Sequence, residues 1–432
     1  METNRPTYRP PWAWVPSLYF AEGIPYVVVQ TISVIMYKRM GISNSDIALF
    51  TSLLYWPWAI KPLWSPFVDM FSKKRLWVVS MEFIIAVSLV VVAFVLPLAS
   101  FLTWTLVIFA AMAFSSATHD IAADGFYMLA LEPYQQAAFS GVRSTFYRIA
   151  TIVGSGLLVM LAGNIETGSG GNIPFAWSIS FGILAGMFIL LFAYHRLILP
   201  YPAADGPTLA DKSRSVWNEF VQTFVIFFKK KDIVTILFFL LFYRFAEAQL
   251  VKLVSPFLLD PRGKGGLGLS TSEVGIVYGT VGIVALLSGG LLGGFVISKK
   301  GLKYWLWIMV FSIHLPDVMF IYLSQVQPEN FLLVNIAVAI EQFGYGFGFT
   351  AYMLYMLMVS QGDHKTAHYA ICTGFMALGM MIPGLFSGYI QEWLGYKNFF
   401  LWMFMATIPG FIVAAVAKID PLFGKKVEQP QQ

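Results

Sequence analysis

Twelve apolar stretches of membrane-spanning length run through this chain and leave it little else to fold with. They fall at about 13–37, 46–68, 76–99, 102–130, 138–163 and 174–199, then at about 232–258, 271–297, 302–324, 331–358, 367–392 and 397–417. About 20 residues of helix cross a bilayer, and a helix satisfies its backbone polar groups without water. The expectation is an all-α membrane protein with twelve transmembrane helices and both termini on one side. Composition agrees, with 58% hydrophobic and 12% charged residues among 432, and no sizeable soluble domain is left over. Met1 to Pro11 is no signal-peptide n-region with a nearby small-residue cleavage site, so the first span is expected to stay in the protein.

Orientation follows from Lys and Arg, which are retained in the cytoplasm. With both termini cytoplasmic, 18 of the 28 Lys and Arg lie on that side, five lie opposite (Lys38, Arg39, Arg262, Lys264, Lys397) and five are inside spans. The pI near 9.0 is this topological bias and calls for no nucleic-acid partner. Cys372 is the single cysteine, which excludes an intrachain disulfide and a Cys-rich metal site. No cofactor or metal is expected, and a monomer is.

Three anchors suggest two copies of one unit. Phe20-Ala21-Glu22 recurs as Phe245-Ala246-Glu247, an offset of 225; Ser43-Asn44-Ser45-Asp46 as Ser270-Thr271-Ser272-Glu273, an offset of 227; and Ser72-Lys73-Lys74 as Ser298-Lys299-Lys300, an offset of 226. Six spans repeated in parallel is the plan of a transporter whose halves rock about a midplane site. The expected domains are two six-helix bundles, 1–199 and 232–432, with a cytoplasmic linker at 200–231. In that linker Trp217, Phe220, Val221, Phe224, Val225 and Phe228 share one helical face next to Lys229, Lys230 and Lys231, which predicts a helix lying at the inner leaflet.

Ionisable groups inside spans are costly and are functional candidates by default. At 1.5 Å per residue, Glu22 lies roughly 14 Å into span 1 and Glu247 roughly 22 Å into span 7. Spans 4 and 5 are antiparallel around Pro133, so residues of equal depth have a constant index sum. Asp120 with Arg148 sums to 268 and Asp124 with Arg143 to 267, which predicts two carboxylate–guanidinium pairs. Asp120 and Asp124, at i and i+4, share a face. Such pairs can also serve only to fix helix register. Arg244 and Glu247, at i and i+3, could neutralise each other, while Asp317 and Glu341 have no evident partner. His119 reads as a polar neighbour of Asp120, and His314 and His368 as satisfying local polarity.

His119 and Asp124 also form H-x4-D, a spacing used by some membrane acyltransferases with His as general base. Nothing else suggests an acyl-donor site, and such an enzyme has no need of a duplicated body. The chain is expected not to be an enzyme.

Several motifs resemble the muropeptide-permease (AmpG-like) branch of the major facilitator superfamily. They are Phe20-Ala21-Glu22-Gly23-Ile24-Pro25, Lys61-Pro62-Leu63-Trp64-Ser65-Pro66 leading to Asp69, and Ser116-Ala117-Thr118-His119-Asp120-Ile121 leading to Asp124. Tyr147-Arg148, Tyr243-Arg244 with Glu247, and Glu341-Gln342 extend the likeness to the C-terminal half. The resemblance implies a major facilitator fold in a bacterial inner membrane. It further implies proton-driven import of N-acetylglucosaminyl-anhydro-N-acetylmuramic acid, with or without its peptide, for peptidoglycan recycling. His119 stands where that branch usually has Gln, Glu22 replaces a small residue and Arg143 is additional, so another di- or oligosaccharide from glycan breakdown remains open.

A carboxylate that shares a cavity with arginine can be switched by water access or by substrate. Asp120 is the first candidate proton carrier, followed by Asp124 and Glu247. Glu22, His119, Arg143, Arg148, Arg244 and Glu341 are the candidate sugar ligands, with Arg148 competing for Asp120 and for an anionic or acetamido group. Trp56, Trp58 and Trp64 could stack on a pyranose or pack in the core. Asp69, Lys73, Lys74 and Arg75 read as a cytoplasmic gate.

Overall fold

The computed structural model describes residues 9–203, 205, 218, 221–362 and 365–425, and the regular elements among them are helices. Among the described residues, ten helices are long and apolar enough to cross a membrane. Span 1 is Pro11–Arg39, span 3 Lys74–Val95, span 4 Phe101–Ala130, span 5 Tyr134–Gly168 and span 6 Ile173–Ile198. Span 7 is Ile233–Leu259, span 8 Thr271–Lys300, span 9 Leu302–Val326 and span 10 Phe331–Val359; the tenth helix, Ala367–Val416, takes in the regions expected as spans 11 and 12.

Two sequence details account for the difference from twelve. The region expected as span 2 forms two shorter helices, Asn44–Leu53 and Trp56–Phe71. Pro57 has no amide to offer and its ring crowds the carbonyl four residues earlier, at Leu53, where the first helix stops. Ala367–Val416 runs for 50 residues, bent at Gly395 with φ 70° and ψ 163°. That backbone region is open to glycine and closed to other residues.

The chain forms two compact units. The first comprises Met1–Met40 and Leu54–Val221, the second Gly41–Leu53 and Gln222–Gln432. The helix Asn44–Leu53 therefore belongs with the second unit, where Asn44 Nδ2 donates to Gln391 Oε1 at 2.6 Å and to the Tyr396 hydroxyl at 2.8 Å. Of the expected linker helix, Trp217 and Phe220 lie outside the described residues. A helix over 221–228 carries Val221, Phe224, Val225 and Phe228.

The core of the first unit gathers Trp14, Leu18, Val78 and Phe126 from spans 1, 3 and 4, with Leu199 just past the end of span 6. That of the second gathers Phe239, Tyr243, Met309, Tyr352 and Val413. Large apolar side chains also stand exposed, among them Phe94, Leu190, Leu291 and Leu332, as expected of surfaces solvated by lipid. Span 1 lies close on span 5: a Cβ at Gly23 would sit 2.8 Å from Ala150 Cβ and 2.9 Å from the Tyr147 carbonyl oxygen. This close approach of small residues fixes Glu22, next to Gly23, against the helix that carries Arg143.

One of the three repeat anchors adopts an equivalent local structure in both copies. Ser43 Oγ donates to Asp46 Oδ2 at 2.7 Å and accepts from the Asp46 amide at 3.1 Å. Ser270 and Glu273 form a capping box at the start of span 8. Both Ser-x-x-acid motifs thus start helices by satisfying amides that have no partner within the helix.

Candidate functional site

In the first unit, Glu22 of span 1 and Asp120 and Asp124 of span 4 bring carboxylate oxygens within 4.8 Å of one another. Glu22 is buried, whereas Asp120 and Asp124 are half-buried. Arg143 Nη2 donates to Asp124 Oδ1 at 2.5 Å, as depth matching predicts. The Tyr19 hydroxyl donates to the same oxygen at 3.0 Å. The Arg143 guanidinium lies 4.4 Å from the Tyr19 ring centroid and 5.0 Å from that of Tyr127, so two aromatic faces hold the cation in place.

The second expected pair does not form. Asp120 instead pairs with Lys61 of Trp56–Phe71, and the Arg148 Nε–H donates to Ser144 Oγ at 3.4 Å. Index sums match heights but not directions. Arg143 and Arg148 are five residues apart, about 140° around a helix, so they cannot both face the single stripe that carries Asp120 and Asp124. Lys61 was legible as a charge inside a span, but its partner could not be assigned by pairing adjacent helices. The trio thus holds three carboxylates against two hydrogen-bonded cations, and Arg148 is exposed on the same span as Arg143.

His119 faces elsewhere. Its Nε2–H lies 3.3 Å from Glu82 Oε1 of span 3, the atom that His195 Nδ1–H of span 6 approaches at 2.6 Å. His195 Nε2 in turn contacts Ser17 Oγ of span 1 at 2.9 Å. Glu82, His119 and His195 are fully buried, so this network ties four spans together away from the acidic trio. Glu82 and His195 are functional candidates that the structure adds, and the signal for them in the sequence is a lone carboxylate inside span 3. His119 and Asp124 are also five apart and turned from each other, which removes the basis of the acyltransferase reading.

The second unit has a counterpart. Glu247 of span 7, Asp317 of span 9 and Glu341 of span 10 bring carboxylate oxygens within 4.8 Å, and all three are buried. Among the described residues neither oxygen of Glu247 or of Asp317 has a hydrogen-bond partner, while Glu341 Oε2 accepts from Gln342 Nε2 at 3.0 Å. Arg244 does not hydrogen-bond Glu247. It donates to the Tyr345 hydroxyl and lies 4.6 Å from the Phe349 ring centroid. Residues read as partnerless from sequence, Asp317 and Glu341, are thus gathered around the repeat-related Glu247.

At the other candidates the geometry is tied down. The Lys74 and Arg75 amides donate to Asp205 at 2.6 and 3.1 Å, and the Arg75 guanidinium lies 3.9 Å from the Tyr201 ring centroid. Lys73 is exposed, and the Asp69 side chain lies outside the described residues. Trp64 packs on Phe114 with centroids 5.5 Å apart and Trp58 meets Tyr26 edge-on at 5.2 Å, whereas Trp56 is exposed.

Two helical units, each holding a carboxylate trio that contains one of the repeat-related glutamates, describe a polytopic membrane protein, and the family match makes it a transporter and not an enzyme. The chain belongs to the Major Facilitator Superfamily, whose model matches residues 17–367. It is 24% identical over 408 residues to the anhydromuropeptide permease of Escherichia coli K12, covering 93% of this chain and 78% of that protein. It is 25% identical over 417 residues to the Rickettsia conorii transporter designated AmpG 4, covering 92% and 94%. These relatives support an AmpG-like branch. Among solved structures it resembles the nucleoside transporter NupG (TM-score 0.71, 15% identity, 94% of this chain and 99% of that one). It resembles the D-xylose-proton symporter equally well (TM-score 0.71, 13% identity, 96% and 98%). Both likenesses establish the fold.

Proposed function

We propose that this transporter imports muropeptide-type sugars, N-acetylglucosaminyl-anhydro-N-acetylmuramic acid with or without peptide, by proton symport across a bacterial inner membrane, with both termini cytoplasmic. The observation that carries coupling is the charge count of the first trio: three carboxylates face Lys61 and Arg143. One bound proton makes that cluster neutral, and loss of the proton leaves a net charge between membrane-spanning helices, which is costly. Asp120 and Asp124 are half-buried, so water and substrate reach them more readily than Glu22. Glu247, with Asp317 and Glu341, supplies a second place to hold protons.

Recognition rests on Arg148, whose guanidinium has a single weak hydrogen bond among the described residues. A lactyl or peptide carboxylate would complete its fork geometry. Glu22 supplies acceptors for sugar hydroxyls. The name of the Escherichia coli relative, matched over 93% of this chain, supports the substrate class. A second reading, symport of another di- or oligosaccharide, draws on Glu22 and Arg143, which lie at the trio and depart from the pattern of that branch. A panel of labelled sugars offered to proteoliposomes separates the two. The anhydro-disaccharide should enter and be outcompeted only by its peptide-bearing forms; preferential entry of a neutral disaccharide would favour the second reading.

A further inference from the structure

A cavity of about 280 Å3 opens where span 7 begins and span 10 ends. Lys230, Lys231 and Lys418 line it together with a single carboxylate, Asp232. Lys418 Nζ donates to Asp232 Oδ1 at 2.8 Å. Lys230 Nζ donates to the carbonyl oxygens of Val359 at 2.7 Å and Gln361 at 3.4 Å, which caps the end of span 10 and fixes that ammonium in the wall. Three ammoniums against one carboxylate leave the lining two charges positive. Burial holds Lys230 below the ordinary lysine value, and a nearby anion would relieve that cost. The inner wall, Ile236 and Val359, is apolar.

The helix over 221–228 leads directly into this cavity. Phe227 is buried in the second unit's core, while Val221, Val225, Ile226 and Phe228 remain exposed. An apolar strip solvated by lipid therefore ends at a basic pocket, the arrangement that accommodates acyl chains and a phosphate together.

We propose that this cavity binds the phosphate headgroup of an anionic phospholipid whose acyl chains lie along the 221–228 helix. The shared chemistry is a phosphate oxyanion met by Lys231 and Lys418, with Lys230 behind them; Asp232 opposes it.

Native mass spectrometry of the full chain, loaded with phosphatidylglycerol or with phosphatidylcholine of the same acyl composition, tests this. The wild-type protein should retain phosphatidylglycerol preferentially. Lys231→Gln and Lys418→Gln should each weaken that retention about fivefold. Asp232→Asn should strengthen it, a change of opposite sign that general loss of structure would not produce. Asn also suits the left-handed backbone of Asp232, φ 62°. Equal retention of both lipids, or retention indifferent to all three substitutions, overturns the proposal. Displacement of phosphatidylglycerol by millimolar inorganic phosphate, through the same lysines, also overturns it and assigns the cavity to a free anion.

Discussion

Lys61 and Asp120 form an ion pair between the helix Trp56–Phe71 and span 4, so the carboxylate proposed above as the proton carrier is held by a lysine 59 residues before it. A lysine in that position does two things. It keeps Asp120 oriented beside Glu22 and Asp124, and in the proposed mechanism it competes with the proton for that carboxylate.

Removing Lys61 alone should therefore cost more than removing the pair. Lys61→Gln should lower stability by roughly 1–3 kcal/mol, and Asp120→Asn in the same chain should restore part of it. Thermal unfolding of the four proteins of this cycle in detergent gives the coupling. Strict additivity would show that the pair is an unimportant surface contact.

Arg148 makes the opposite case, a cation with little structural duty. Arg148→Gln should leave the unfolding temperature unchanged and weaken binding of a carboxylate-bearing muropeptide about 10-fold to 100-fold, the loss of one charge-assisted hydrogen bond. An analogue esterified at that carboxylate should bind both proteins alike. Equal weakening for the ester would assign Arg148 to something other than the substrate's charge.

Asp124 and Arg143 can be exchanged. Asp124→Arg with Arg143→Asp should return membrane abundance lost in either single variant, because an ion pair between spans 4 and 5 is rebuilt. Uptake should stay low, since the Tyr19 hydroxyl would then meet a cation where it now donates to a carboxylate. Full uptake by the exchanged protein would make this pair purely structural.

The buried network predicts a contrast between its two histidines. His119→Gln retains a donor for Glu82 and should preserve folding and uptake. His195→Ala removes the closer contact, 2.6 Å, and should destabilise the protein by roughly 1–3 kcal/mol. Circular dichroism melting and uptake on the same preparations decide it. A changed sugar preference in His119→Gln with unchanged stability would return His119 to the substrate.

What the sequence made legible divides along physical lines. Apolar length alone located most of the spanning helices, because a bilayer accepts few alternatives. It did not reveal that Pro57 and Gly395 would change how the helices are divided, since hydropathy averages over single breaks. Glu22 and Glu247 were recognisable as repeat-related, and their local motif was enough. Asp124 with Arg143 was found by depth on neighbouring helices. Asp120 with Lys61, Glu82 with His195, and Glu247 with Asp317 and Glu341 join helices distant in the chain, where depth fixes height but no local rule fixes which faces meet.

Uptake of labelled anhydro-disaccharide by proteoliposomes, with and without an inward proton gradient and at matched membrane potential, tests the central claim most directly. The gradient should drive accumulation above equilibrium in the wild-type protein, and Asp120→Asn should abolish that accumulation while retaining exchange of labelled for unlabelled sugar. Equal uptake with and without the gradient would contradict proton symport.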